Sequence, residues 1–186
     1  KDLLNGKRFD KGGYILTYDY DKWSFIDPKE AQKKLNLPRN PRDYTSIAVT
    51  TDDSNDEIVY ASSMGDGVIQ YKNGTPVQSY NEKNAFKETA GGYGSGYCYI
   101  DGLAFDKNGN LWMTSSEVNH AVLVLDKAGA WHRLDIEQLR GVYTINDILI
   151  TSTNDKWIYV PRNTPKLVMI PNSESLDEVS SYEFTT

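Results

Sequence analysis

Soft metal ligands are nearly missing from this 186-residue chain, which has one cysteine and two histidines. A lone Cys98 excludes an internal disulfide framework and leaves the redox compartment open. His120, His132 and Cys98 have no close spacing, so no zinc site is expected. Long apolar runs are lacking as well. The longest aliphatic one, residues 121–125, falls far short of the ~20 residues that cross a bilayer. No membrane insertion by this segment is expected, and no stretch reads as a signal peptide. Positive charge is the minority: 20 Lys and Arg stand against 26 Asp and Glu, a net charge of −6. That balance argues against a nucleic-acid partner, whose phosphates call for clustered cations. The 3.6-residue apolar period of a long core helix is also absent.

What the chain has is aromatic residues and turns. It carries 13 Tyr, 4 Trp and 14 Gly, a composition that favours sheets and hairpins. With 39% hydrophobic and 25% charged residues it can bury a core. Its length suits one ordinary domain. Short runs of strand formers recur in fours. One set lies at 47–50, 58–61, 68–71 and 77–80. A second lies at 103–106, 111–114, 122–125 and 131–134. A third lies at 148–151, 157–160, 167–170 and 181–184. Asn73-Gly74 and Asn108-Gly109 sit where tight hairpins need positive φ. The opening runs at 14–19 and 23–25 align with the third and fourth members of such a set.

Four antiparallel strands in a unit of ~45 residues are the signature of propeller blades. The fold expected is therefore all-β: a partial β-propeller of about three and a half four-stranded antiparallel blades, or fourteen strands. The expected parts are a half blade at 14–27 and blades at 45–80, 100–134 and 145–186, within a single propeller segment of a longer chain. Rings of this kind use roughly 4–8 blades. The expected partners are thus the remaining blades of its own chain or a second copy of it.

The stretch Ile100-Asp101-Gly102-Leu103-Ala104-Phe105-Asp106-Lys107-Asn108-Gly109-Asn110-Leu111-Trp112-Met113-Thr114 resembles the two-component regulator propeller repeat. The resemblance covers about residues 14–170 and is most specific at 100–134. The blade at 45–80 departs from it, with Ile58-Val59-Tyr60 in place of Leu-Trp. The last blade keeps Trp157, shifted by one place. Such repeats build the periplasmic sensor halves of hybrid histidine kinases. They also occur in surface propeller proteins related to type IX secretion, which Gly65-Asp66-Gly67-Val68 and Tyr80-Asn81-Glu82-Lys83-Asn84 resemble in particular. The resemblance implies an exported protein of a Gram-negative bacterium, periplasmic or on the cell surface. It implies ligand sensing in signal transduction, or protein contacts in secretion, and no catalytic residue.

Three excursions, at 27–44, 81–99 and 135–144, join one unit to the next, and insertions of this kind collect on the binding face of repeat proteins. The first predicts a short helix, capped by Asp27, with Pro28 in its first turn and Glu30 completing a capping-box-like pair. In the second, Tyr93 and Tyr97 stand in a Gly-rich stretch with no Walker pattern and no following Lys; they would stack on a sugar or apolar ligand, or simply pack their own loop. Asp101, Asn146 and Asp147 fall at matching places at the starts of innermost strands. There they would meet a polar ligand, such as a small glycan, or satisfy backbone groups and channel water. Asp52-x-Ser54-x-Asp56 and Asp106-x-Asn108-x-Asn110 have hard-oxygen spacing, but both lie where hairpin turns use these residues. No metal, cofactor or enzyme activity is expected; the lesser alternative is a glycan-processing enzyme of propeller fold, which needs a close carboxylate pair in the channel. The two histidines sit far from any nucleophile in sequence, and the scattered carboxylates select no pair.

Overall fold

Turn residues cut the chain into strands of three to nine residues. The computed structural model describes residues 14–86 and 96–185. They form fourteen strands in a propeller-like arrangement of antiparallel meanders. A hairpin comes first, β1 (Ile15–Asp19) and β2 (Lys22–Ile26), followed by the helix α1 (Pro28–Leu35). The second unit is β3 (Tyr44–Thr51), β4 (Glu57–Gly65), β5 (Gly67–Lys72) and β6 (Thr75–Tyr80). The third is β7 (Cys98–Phe105), β8 (Leu111–Ser115), β9 (Val122–Leu125) and β10 (Trp131–Leu134). A 3-10 turn at Glu137–Leu139 leads to the fourth: β11 (Ile148–Ile150), β12 (Lys156–Val160), β13 (Lys166–Ile170) and β14 (Tyr182–Thr185).

The blades stack because each strand alternates its side chains between two faces. Ile15 and Ile26 of the hairpin pack on Val59, Ala61, Ile69 and Tyr71 of the second blade. The other face of that blade, with Ala48, Tyr60 and Val68, meets Leu103, Leu111, Met113 and Leu123 of the third. The third blade in turn sets Trp112, Val122 and Val124 against Ile148, Ile158, Val168 and Ile170 of the fourth.

Strand pairing fixes which positions are equivalent. Thr50 lies opposite Ile58, Ala104 opposite Trp112, and Leu149 opposite Trp157. The turn between first and second strands is five residues long in each blade, at 52–56, 106–110 and 151–155. Counted from it, Trp157 occupies the same place as Trp112, so its one-place shift disappears. The second blade keeps its departure, with Ile58 in that place.

Asp27 caps α1, accepting from the Lys29 N–H at 2.9 Å, and Asn36 ends it at φ 52°. Asn73 and Gly74 both take positive φ, 47° and 73°, as a tight hairpin requires. In the 106–110 turn only Gly109 does, at 84°. There the Asp106 carboxylate carries the turn, with Oδ1 accepting from the N–H groups of Asn108 and Asn110. Asp52 Oδ1 does the same for Ser54 and Asp56. Both hard-oxygen patterns are therefore occupied as turns. Among the described residues no group of three or more His, Cys, Asp or Glu is placed to hold a metal ion.

Hydroxyls join the inner strands of successive blades. Thr45 Oγ1 donates to Ile100 O, Ser62 Oγ to Asp101 O, and Thr114 Oγ1 to Asn146 O. The end of β4 also pairs directly with the start of β7, Met64 with Tyr99 and Gly65 with Cys98. This ladder makes one continuous sheet of the second and third blades. No helix among the described residues is long and apolar enough to cross a membrane.

Candidate functional site

Alternation along the start of β7 sorts the residues near the candidate positions. Cys98 and Ile100 point into the core and are 1% and 0% exposed. Tyr97, Tyr99 and Asp101 take the opposite sense. The Tyr97 and Tyr99 rings meet edge to face, 6.3 Å apart. The Tyr97 ring also lies over Gly65, where a Cβ would come within 2.6 Å of it. Only glycine, here at φ 111°, admits that approach.

Asp101 is 9% exposed. Its Oδ2 accepts from Ser116 Oγ at 2.7 Å, and that hydroxyl accepts from the Ile145 N–H at 2.8 Å. A single hydroxyl thus ties the carboxyl of the third blade to the segment entering the fourth. One hydrogen bond does not replace lost hydration, so burial pushes the Asp101 carboxyl up to about 7. At neutral pH it is poised between donor and acceptor. Beside it, the Tyr99 hydroxyl is raised by burial, then by the charge of Asp101, and further by Tyr97, Glu117 and Tyr143. Glu117 holds a left-handed backbone, φ 63°, with its N–H on Val142 O at 2.8 Å. Its Oε1 is buried and has no hydrogen-bond partner among the described residues.

Asn146 and Asp147 are exposed and lie at the same blade junction. Asn146 uses its backbone there: its N–H donates to Tyr159 O and its carbonyl accepts from Thr114. Asp147 Oδ1 accepts from the Ile148 N–H, and its Cα approaches Gly102 so closely that a Cβ on Gly102 would come within 3.0 Å. Tyr93 lies outside the described residues. Of the sequence candidates, the structure thus brings Tyr97 and Asp101 into one neighbourhood, with Asn146 and Asp147 along the same seam. It adds Tyr99, Glu117, Tyr143 and Ser116. The alternating Tyr97-x-Tyr99-x-Asp101 pattern held the signal for Tyr99. Nothing local marked Glu117 or Tyr143, which arrive from loops 16 and 42 positions beyond Asp101.

This neighbourhood offers aromatic rings, phenol hydroxyls and a carboxyl near its midpoint, a set suited to hydrogen-bonding and stacking a polar ring. Its hydroxyl–carboxyl contact is that of Ser116 Oγ with Asp101 Oδ2, and both side chains are buried. His132 lies in β10, where Nε2 meets Asp126 Oδ2 at 2.9 Å, and the described hydrogen bonds give it no hydroxyl or thiol partner. Cys98 is buried and its thiol is pushed up to about 12, by burial first and the Glu82 charge second. Two surface grooves lie elsewhere. One, of about 620 Å³, runs between the opening hairpin and the second blade, beside Tyr18, Phe25, Glu30 and Asn73. The other, of about 480 Å³, lies along 133–135 and 177–180.

No protein-family model matches the chain, and no curated protein matches it by sequence. Solved structures do match. One is PorZ, a surface component of the type-IX secretion system of Porphyromonas gingivalis. It superposes with a TM-score of 0.77 at 20% identity, over 91% of this chain and 23% of PorZ. Another is the extracellular domain of a hybrid two-component system protein of B. thetaiotaomicron. There the TM-score is 0.47 at 17% identity, over 73% of this chain and 16% of that one. The chain thus spans less than a quarter of the length of either neighbour, and the PorZ likeness is one of fold.

Proposed function

We propose that the chain is a non-enzymatic propeller segment of an exported bacterial protein, and that it binds a polar, sugar-like ligand where the third and fourth blades meet. The observation that carries this reading is the buried Asp101 carboxyl at a blade seam beside Tyr99, which in turn meets the Tyr97 ring and feels Tyr143. A carboxyl near its midpoint matches sugar hydroxyls as donor or acceptor, and tyrosine rings match the apolar face of a pyranose. Periplasmic or surface exposure fits the PorZ-like fold and the repeat resemblance. Calorimetric titration with a panel of neutral and acidic oligosaccharides tests it. At least one should bind the wild type and bind Tyr99→Ala and Asp101→Asn at least tenfold more weakly. Equal affinity in all three proteins would overturn the assignment of the site, and no binding across the panel would overturn the ligand class.

A second reading is favoured by the superposition on PorZ: a surface component of a secretion or envelope assembly that works by protein contacts. It expects the seam variants to be silent and substitutions on exposed blade faces to break association.

A further inference from the structure

We infer that the ligand at this seam is an amino sugar, whose protonated amine is taken by the Asp101 and Glu117 carboxyls beside the Tyr99 ring. The inference rests on the seam proposed above and names the charge of what binds there. It starts from a contrast between two buried carboxyl groups of the third blade. Asp106 is 7% exposed and accepts four hydrogen bonds, from the N–H groups of Asn108 and Asn110, the Asn110 amide and the Trp112 indole. Asp101 is 9% exposed, and among the described residues it accepts one, from Ser116 at Oδ2. Its Oδ1 has no hydrogen-bond partner there. Buried carboxyls are normally given donors by their own chain, and at Asp101 that complement is missing.

Glu117 repeats the pattern, with a buried Oε1 that has no partner among the described residues. The backbone holds it near Asp101. Ser116, one position earlier, donates its N–H to Tyr99 O at 3.1 Å and its hydroxyl to Asp101 Oδ2 at 2.7 Å. The Glu117 N–H then goes to Val142 O at 2.8 Å, next to Tyr143. Tyr99 lies within the field of both carboxyls and of Tyr97 and Tyr143. Among the described ion pairs, Arg39 is spent on Asp66 and Arg140 on Asp135, and none reaches Asp101 or Glu117.

Two unpartnered carboxyl oxygens beside tyrosine rings suit a group that brings donors and positive charge together. An ammonium offers donors and no acceptor, and tyrosine faces attract it. A divalent cation would need about 6–8 oxygen ligands, and among the described residues no three His, Cys, Asp or Glu side chains are placed to hold one. An acidic sugar would meet like charge here, in a chain of net charge −6. The ammonium would also keep Asp101 ionised, against the burial that pushes it up to about 7. A sugar ring beside the amine uses the tyrosine surface that a bare amine leaves unfilled.

Calorimetric titration at pH 7 with the trimer of glucosamine and its fully N-acetylated form tests the inference, since the two differ only at the amine. The wild type should bind the free amine at least tenfold more tightly. Glu117→Gln, which keeps the shape and removes the charge, should cut that preference below threefold. A preference under tenfold in the wild type, or one that stays above threefold in Glu117→Gln, overturns the inference. So does Nα-acetyl-lysine amide binding within threefold of the amino sugar, because the ring would then be idle. The seam itself is judged apart. If the acetylated trimer or another sugar binds the wild type and is weakened tenfold by Asp101→Asn, the seam stands and only the amine falls. If no sugar binds, both fall.

Discussion

Removing the indole of Trp112 should cost more than any other single change in the third blade. Its ring is 1% exposed and packs between the third and fourth blades. Its Nε1–H donates to Asp106 Oδ2 at 2.9 Å, and the Lys156 ammonium sits 4.5 Å from the ring centroid. Truncating such a residue to alanine costs about 3–5 kcal/mol. Two further losses push toward the upper end: Asp106 loses a donor, and the buried Lys156 loses the ring beneath it. For a domain of this size each kcal/mol moves Tm by about 2–4 °C, so a fall of roughly 10–15 °C is expected for Trp112→Ala. Trp112→Phe keeps most of the packing and drops only the N–H, so about 1–2 kcal/mol is expected. Differential scanning calorimetry of the three proteins measures both. Trp112→Ala within a degree or two of wild type would refute the blade register, because no buried aromatic could be lost so cheaply from this core.

Asp101 makes stability depend on pH in a defined sense. Its carboxyl is raised on folding, so its contribution is fully present below the unfolded value and is lost as pH rises through about 7. Chemical denaturation from pH 5 to 8 should show Asp101→Asn losing less stability than wild type, and parallel curves would contradict the burial argument. Gly67 has φ 81° and would place a Cβ 2.1 Å from Tyr80 O. Gly67→Ala should therefore lower the urea midpoint clearly, and an unchanged midpoint would show that the β4–β5 turn relaxes freely. Thr114→Val keeps shape but removes the hydroxyl between Gly102 N–H and Asn146 O. It should cost about 1–3 kcal/mol by leaving both groups short of a partner, and a neutral result would make the inter-blade hydroxyls dispensable. Cys98 should resist a thiol reagent at pH 8 until the chain unfolds, as its buried thiol is pushed up to about 12; fast native labelling would place it at the surface.

The blade pattern was legible because a hairpin writes itself locally. Turn residues such as Asn73-Gly74 and alternating runs such as 122–125 need no distant information. The equivalence of Trp157 with Trp112 shows only when both are counted from the turns before them, 106–110 and 151–155, which are equally long; the runs of strand formers alone suggest a one-place shift. The β4–β7 ladder was also hidden. It depends on β4 running on past its own blade to Met64 and Gly65, and nothing in the residues says where that extra length will lie. At the candidate site the strand alternation of Tyr97 and Asp101 was visible. Their setting was not, because Ser116, Glu117 and Tyr143 reach it through the packing of one blade on the next. The same packing explains Asn146: an inner-strand polar position that suggests a ligand is spent in part on joining blades.

The most direct test of a ligand seam between the third and fourth blades is a two-dimensional NMR titration of the isotope-labelled chain with the tightest oligosaccharide of the panel. The account predicts that the largest amide shifts fall on Tyr97, Tyr99, Asp101, Glu117 and Tyr143, and that they vanish in Asp101→Asn. Shifts confined instead to the hairpin 15–26 and the face of the fourth blade, or no shift at saturating sugar, would contradict it.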